Sequence, residues 1–447
     1  MAKTAVPEIL SLLSKEEEEK LKELWSAIGP LIKDDASHTE VPNQDGAEIA
    51  APVPSIHITN STPADGEEDT DSDSATSAPS RTHTSSSSAK TSIDTSDNSS
   101  KAATSQSEAA ALPTPDSTRA HFWKLVKHED PDMVLVRFLR ARKWHVKNAL
   151  AMLTAAVAWR SEEVRVDDDI MRNGEEGALK ATRSADPAAR KLGEDFLAQM
   201  RMGKSFMHGC DKEGRSICLI RARLHKPGAQ STESLERFQV FLTELGRIVS
   251  VAPNNTVCLI FDLGGFSMAN MDYAPIKLLI KCFEGNYPES LGIVHVYRAP
   301  WIVNGIWRII RGWLDPVVAK KVKFVGSVKE LEEYIPRKQI IAELGGDEQW
   351  TYEYLEPVEG ENDRMQDTKR RTELEAAHYA LIQAYEKNTA EWINSRTSLP
   401  TELKARRKTL AARLGESYWQ LDPYIRARTH YDRAGILNAG GKVNFYP

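Results

Sequence analysis

Two short strings in this 447-residue chain hold residue types that chemistry uses. Met202–Ser205 reads MGKS, like the end of a phosphate-binding loop. Such a loop works through backbone N–H groups between its first glycine and the helix that follows. Here the first-glycine place is Ala198 and a strand pattern follows Ser205, so no nucleotide cradle is expected. Asp262–Ser267 reads DLGGFS after an apolar run, the setting of a nucleophile elbow. The elbow needs Gly-x-Ser-x-Gly, and Ala269 fills its last place. The eleven histidines form no H-E-x-x-H or other ligand-spaced pair, and Cys210, Cys218, Cys258 and Cys282 form no C-x-x-C. The expectation is a protein with no catalytic residue, no metal and no cofactor. Asp262 and its glycines then shape a strand-end turn.

A different chemistry, that of amphiphiles, is written in Trp301–Leu314, WIVNGIWRIIRGWL. At helical spacing Ile302, Val303, Ile306, Trp307, Ile309, Ile310, Trp313 and Leu314 fill an arc of roughly 160°. Asn304, Arg308 and Arg311 make a narrow stripe opposite, with Gly305 and Gly312 beside it. An ordinary crossover helix has an apolar face too. Three tryptophans in thirteen residues, however, is a membrane-interface habit. Arginines on one thin edge can meet phosphate while the broad face meets acyl chains. A helix of this kind can close over an apolar cavity and swing onto a bilayer.

That helix needs a scaffold. Strand-like runs fall at about 205–209, 216–222, 257–262, 292–297 and 322–325. Helical stretches at 272–284 and 301–314 separate the last three, which implies parallel pairing with right-handed crossovers. Upstream, helical patterns cover 131–141 (Val134, Leu135, Phe138 and Leu139 inward) and 146–160 (Leu150, Leu153 and Val157). The fold class is α/β, preceded by a small helical unit.

Outside this body, Ser14 and Glu17 make a capping box for a helix at 14–29, within a short N-terminal segment 1–33. Leu21, Leu24, Trp25 and Ile28 share one of its faces and should dock on the main body. Residues 34–118 hold no Phe, Tyr or Trp, and fifteen Asp/Glu against three Lys/Arg. Such a stretch cannot offset its chain entropy and should be a disordered, solvated linker. After Pro357, Leu374, His378, Leu381, Tyr385 and Trp392 form a narrow seam on a helix at 366–395. A basic helix at 400–416 and a Tyr- and Arg-rich tail complete a C-terminal extension, 366–447.

Bulk properties narrow the partners. The formal net charge is −6, and with the acidic linker set aside the rest of the chain carries about +6. A mildly basic body suits an anionic membrane surface and is too weak a footprint for nucleic acid. No apolar run reaches the ~18 residues of a spanning helix, and MAKTAVPEIL lacks the layout of a signal peptide. A cytosolic or membrane-surface protein is expected.

Four passages now converge: DPDMVLVRFLRARKWHVKNAL at 130–150, HGCDKEGRSI at 208–217, LIFDLGGFS at 259–267, and NYPESLG with RAPWIVNGIWRIIRGWLDP across 286–316. In this order the chain resembles the CRAL–TRIO lipid-binding family over about 120–355. Within it, the chain is similar to the yeast-type phosphatidylinositol transfer proteins, in an extended fungal branch with a helical tail. The resemblance implies a helical N-terminal subdomain (119–180) and a lipid-binding domain (190–356) whose mixed, largely parallel sheet floors an apolar pocket. It makes 301–314 a gate helix, with Trp301, Ile302, Ile306, Trp307, Ile310 and Trp313 as its cavity or membrane contacts. It assigns the lipid headgroup to Arg142, Lys143, Arg311 and Arg308, and the pocket lining to Val257, Leu259, Phe261, Leu278, Phe283 and Tyr287.

Two departures from the family pattern stand out. Leu278 occupies the place of a glutamate that contacts inositol hydroxyls, and Val257 and Leu259 replace the hydroxyl residues of phosphatidylcholine binders. The implied function is to extract phosphatidylinositol, or another hydrophobic lipid, and exchange it between membranes. The alternative is a non-transferring sensor that presents lipid to a phosphoinositide-pathway protein. Either way the expected protein is a monomer, not an enzyme, cytoplasmic and peripherally bound to intracellular membranes. Its partners are lipid and membrane surface, not nucleic acid.

Overall fold

The computed structural model describes residues 9–31, 117–250, 254–395 and 400–447. All but the last two residues of the expected linker lie outside them. The chain opens with α1 (Ile9–Leu12) and α2 (Lys15–Ile28). The capping box at α2 is formed: the Ser14 N–H donates to Glu17 Oε2 at 2.8 Å, and the Glu17 N–H to Ser14 Oγ at 3.2 Å. Leu21, Leu24, Trp25 and Ile28 are buried, so the helix docks as its apolar face requires.

Beneath it lie α3 (Thr118–Val126), α4 (Pro131–Ala141) and α5 (Val146–Ala158). Asp130 and Pro131 open α4 in the preferred order, with the carboxylate accepting from Asp132 N–H at 2.8 Å. The predicted helix at 146–160 passes into a π-helical turn at Trp159–Glu163. Then follow α6 (Arg172–Ala181) and α7 (Pro187–Arg201), whose Asp186 cap and Pro187 repeat that pattern.

The sheet contains β1 (Ser205–Cys210), β2 (Ser216–Arg221), β3 (Val257–Asp262), β4 (Leu291–Tyr297) and β5 (Val322–Val325), side by side in that order. The pair β1–β2 is antiparallel and the other three pairings are parallel. Mixed α/β architecture and strand positions follow the sequence pattern. The crossovers are α8 (Thr232–Ile248), α9 (Tyr273–Lys281), and α10 (Val303–Arg311) with α11 (Pro316–Lys320). The sequence reading did not mark α8, although Ser231 caps it and Phe238, Phe241, Leu242 and Leu245 recur at helical spacing. The predicted helices at 272–284 and 301–314 are shorter, because α9 turns π-helical at Cys282–Asn286 and α10 has single turns at both ends.

After α12 (Val328–Leu331), the long helices α13 (Thr368–Asn394) and α14 (Thr401–Ile425) pack on each other and on α2. The basic helix continues past its expected end because Tyr418 and Leu421 extend the buried face. The C-terminal extension is therefore part of the helical layer: Tyr385, Trp392, Leu410 and Leu414 share one core with α2, α4 and α5.

Candidate functional site

Alternation along the strands gives the sheet two different faces. One carries Cys218 and Ile220, Val257, Leu259 and Phe261, Val294 and Val296, and Val322 and Phe324. The intervening residues, Ile217, Leu219, Cys258, Ile260 and Ile293 among them, pack a solid core with Ile335, Ile340 and Leu344. Over the first face stands a cavity of about 330 Å³. Its walls include Phe238 and Leu242 of α8 and Pro275, Ile276, Leu279 and Ile280 of α9. Phe283 lies on the wall as well.

The roof is α10. Val303, Ile306, Trp307, Ile310 and, one turn later, Leu314 face the cavity. Trp307 meets Phe324 of β5 edge to face at 5.6 Å, and Trp313 meets Tyr273 of α9 likewise at 5.3 Å. The Lys277 ammonium sits 5.0 Å above the Trp313 ring. Aromatic edges thus hold the helix down on both sides. Ile309 of the arc is 49% exposed, and Trp301, just before the helix, 83%. Ile302 is half-buried at the entry to the helix, and Arg308 and Arg311 are exposed.

Arg142 terminates α4, its N–H donating to Phe138 and Leu139 carbonyls and its guanidinium to the Ala141 carbonyl at 3.2 Å. Lys143 and Trp144 both take positive φ, 51° and 64°, and Lys143 is exposed. This turn positions the basic pair through its backbone geometry and that one guanidinium bond. The Arg142 charge reaches Glu284, a cavity-wall residue in the π-turn after α9. Burial raises the Glu284 pKa, while the Asp315 N–H (2.9 Å to Oε1) and Arg142 both oppose the rise.

Two expected lining residues are elsewhere. Leu278 points away from the wall that its neighbours Leu279 and Ile280 build, and packs as a partly buried member of the adjoining core. Tyr287 is buried beyond the cavity, edge-on to Trp159 at 6.0 Å and 6.0 Å beneath the Arg247 guanidinium. For Tyr287 the π-turn at Cys282–Asn286 rotates the register by an extra residue, and spacing does not disclose that rotation.

A model of the CRAL/TRIO domain matches residues 200–346, and a model of its N-terminal domain matches 94–155. A CRAL-TRIO domain-containing protein of Schizosaccharomyces pombe is 43% identical over 323 residues, 72% of this chain and 69% of its own. The chain belongs to the CRAL-TRIO family. A phosphatidylinositol transfer protein, CSR1, of Eremothecium gossypii is 38% identical over 318 residues, covering 71% of this chain and 70% of that one. The Sec14 cytosolic factor of S. pombe is 28% identical over 255 residues, 52% and 81% of the two chains.

The strings set aside at the outset have structural places in this CRAL-TRIO chain. Asp262 is buried under Arg298, whose Nε and Nη2 donate to it at 2.9 and 2.6 Å, and it accepts from the Gly264 N–H. Gly265 follows at φ 78°, a turn that side chains resist. Ser267 Oγ donates to Asn270 Oδ1 at 3.0 Å in a local cap. No group of three or more metal-ligating side chains occurs among the described residues. None of the described helices is long and apolar enough to cross a membrane. The sequence reading missed the polar residues of the cavity wall, chiefly Glu284 and Lys204. Lys204 was in view within MGKS, but only as a nucleotide ligand.

Proposed function

We propose that this CRAL-TRIO protein is a lipid carrier that takes phosphatidylinositol, or another hydrophobic lipid, from one membrane and delivers it to another. One observation carries the reading: an apolar cavity roofed by a helix whose outward side is itself apolar at Trp301 and Ile309. Exposing acyl chains to water costs about 0.8 kcal/mol per methylene, so a lipid with ~28 of them would need on the order of 20 kcal/mol. Transit therefore requires enclosure, and exchange requires α10 to lift while docked on a bilayer. The name of the CSR1 relative supports phosphatidylinositol as cargo.

In this mechanism Arg142 and Arg311 meet the phosphate, for which a guanidinium is well shaped. Lys143 and Arg308, both exposed, add positive charge. Glu284 accepts from inositol hydroxyls, in the role that Leu278 cannot fill. No bond is made or broken. The protein works as a monomer on the cytoplasmic face of intracellular membranes and needs no resident cofactor.

The test is movement of labelled phosphatidylinositol between vesicles by purified protein, with mass spectrometry of the co-purifying lipid. Arg142→Ala with Lys143→Ala should weaken phosphatidylinositol binding about tenfold or more while sparing an uncharged hydrocarbon ligand. Equal loss of both would make the pair a support of the fold. Zero transfer by a folded, lipid-loaded protein would favour a sensor that presents lipid to a phosphoinositide-pathway enzyme.

A further inference from the structure

The cavity is polar at two ends, and only one of them suits a headgroup at the mouth. Glu284 lies just before β4 begins, where β3 also starts: the Val257 N–H donates to the Ser290 carbonyl at 2.9 Å. Lys204 lies at the other ends of these parallel strands. Its carbonyl accepts from the Arg221 N–H at 2.9 Å, and Arg221 pairs in register with Asp262, the last residue of β3. A six-residue strand separates the two ends by ~20 Å.

Lys204 is unusual among the charged groups on the wall. It is 7% exposed, and its ammonium donates to two neutral amide oxygens, Gln230 Oε1 at 3.0 Å and Gln199 Oε1 at 3.4 Å. An ammonium has three N–H donors, so one remains unmatched. The two arginines on the cavity wall have acidic partners: Arg221 pairs with Glu343, and Arg247 with Glu129 and Glu244. Lys204 has no carboxylate within ion-pair distance among the described residues. A hydrocarbon tail pressed against it would strip its remaining solvation with no return.

We propose that the Lys204 end of the cavity is a second, anion-accepting site, and that it takes the carboxylate of a long single-chain acid whose tail runs along β2–β4 toward α10. The proposal rests on the reading of the chain as a lipid carrier and adds a ligand class to it. The carboxylate supplies the missing counter-charge, and the apolar faces of β3 and α9 cover the chain. Headgroup residues at the mouth, Arg142 and Arg311, take no part.

The experiment compares oleate with oleyl alcohol, which has the same chain and no charge, as ligands for the full-length protein by calorimetry at pH 7. Oleate should bind at least tenfold more tightly, and Lys204→Met should abolish the difference while leaving the alcohol unaffected. Arg142→Ala with Lys143→Ala should retain it. Should Lys204→Met not fold, the wild type decides. Burial lowers the Lys204 pKa to about 8, opposed by Asp272. Above that pH the empty site loses its charge, so the preference for oleate should fall by about tenfold per pH unit. Asp272 and His225 are the titratable groups facing Lys204, with Arg221 beside them.

Equal affinity for acid and alcohol in the wild type overturns the proposal, as does a preference that survives Lys204→Met or does not fall at high pH. Phosphatidylinositol transfer measured in parallel separates the two readings. Transfer without a preference for oleate removes only this site, whereas no binding of any of the three lipids removes the carrier itself.

Discussion

Arg407 shows how one residue can join distant parts of the chain. Its guanidinium donates to Asp132 Oδ2 at 2.6 Å and Oδ1 at 2.7 Å, and to Thr389 Oγ1 at 2.8 Å. Trp25 Nε1 donates to the same carboxylate at 2.7 Å, and the guanidinium lies 4.2 to 5.4 Å from the rings of Tyr385, Trp392 and Trp25. The four helices α2, α4, α13 and α14 thereby share one buried ion pair. Removing one partner strands a charge in a site without water, which typically costs about 3–5 kcal/mol. Arg407→Met should lower the unfolding free energy by that amount in chemical denaturation, and Asp132→Asn in the same background should restore part of it. Independent, additive losses would show that the two residues are not coupled. The sequence displayed Asp132 as a helix-start residue, but a partner 275 positions away has no local signature. Lys204 was illegible for the opposite reason: once its string is excluded as a phosphate-binding loop, nothing local marks the lysine as a wall residue.

At the scale of the element, α10 combines a lid with a landing surface. A helical wheel finds its broad apolar arc because the arc depends only on period. It cannot divide that arc between cavity and solvent, because β5 and α9 decide which side is covered. Trp307 and Trp313 anchor the covered side, while Trp301 stands almost wholly outside and Ile309 is half-exposed, with little packing to lose. Trp301→Ala with Ile309→Ser should therefore leave the melting temperature nearly unchanged. Vesicle co-sedimentation should fall by about tenfold, since the lost side chains carry on the order of 1–2 kcal/mol of interfacial burial. A matching drop in thermal stability would place both residues in the fold and not at a membrane. The strands were legible for a related reason: period two sets which residues share a face, and Val257, Leu259 and Phe261 lie together on the cavity side. What period could not supply was the π-turn that precedes Tyr287; Leu278 falls off the wall by ordinary helical spacing, because Pro275, Ile276, Leu279 and Ile280 form the lining face of α9.

For the whole molecule, pH is a global probe of how its charges are buried. Burial lowers the pKa of His128, His295 and His430 to about 4. Each is neutral when folded and, once unfolded, takes up a proton below about 6.5. Their contribution is intact above pH 6.5 and declines between 6.5 and 4. Glu129 extends the loss: burial alone would raise its pKa, but Arg137 and Arg247 outweigh that and hold it at about 2. Its contribution is present above about 4.5 and fades toward 2. Melting temperature should thus be level from pH 8 to 7 and fall steeply below 6.5; a flat profile down to pH 4.5 would contradict these burials.

The first strand of the sheet has one more dependence. Its Met207 N–H, on the edge that no other strand covers, donates to the Tyr431 hydroxyl at 2.7 Å, from 224 positions downstream. Phe445 and Tyr446 lie edge-on to the ring of neighbouring His208. At a synthesis rate of about 5–20 residues per second, on the order of ten to forty seconds separate the birth of this edge from the arrival of its cover. Through that interval a nascent chain carries this edge without the Tyr431 hydroxyl that later meets it, and a bare strand edge is a template for pairing with another chain.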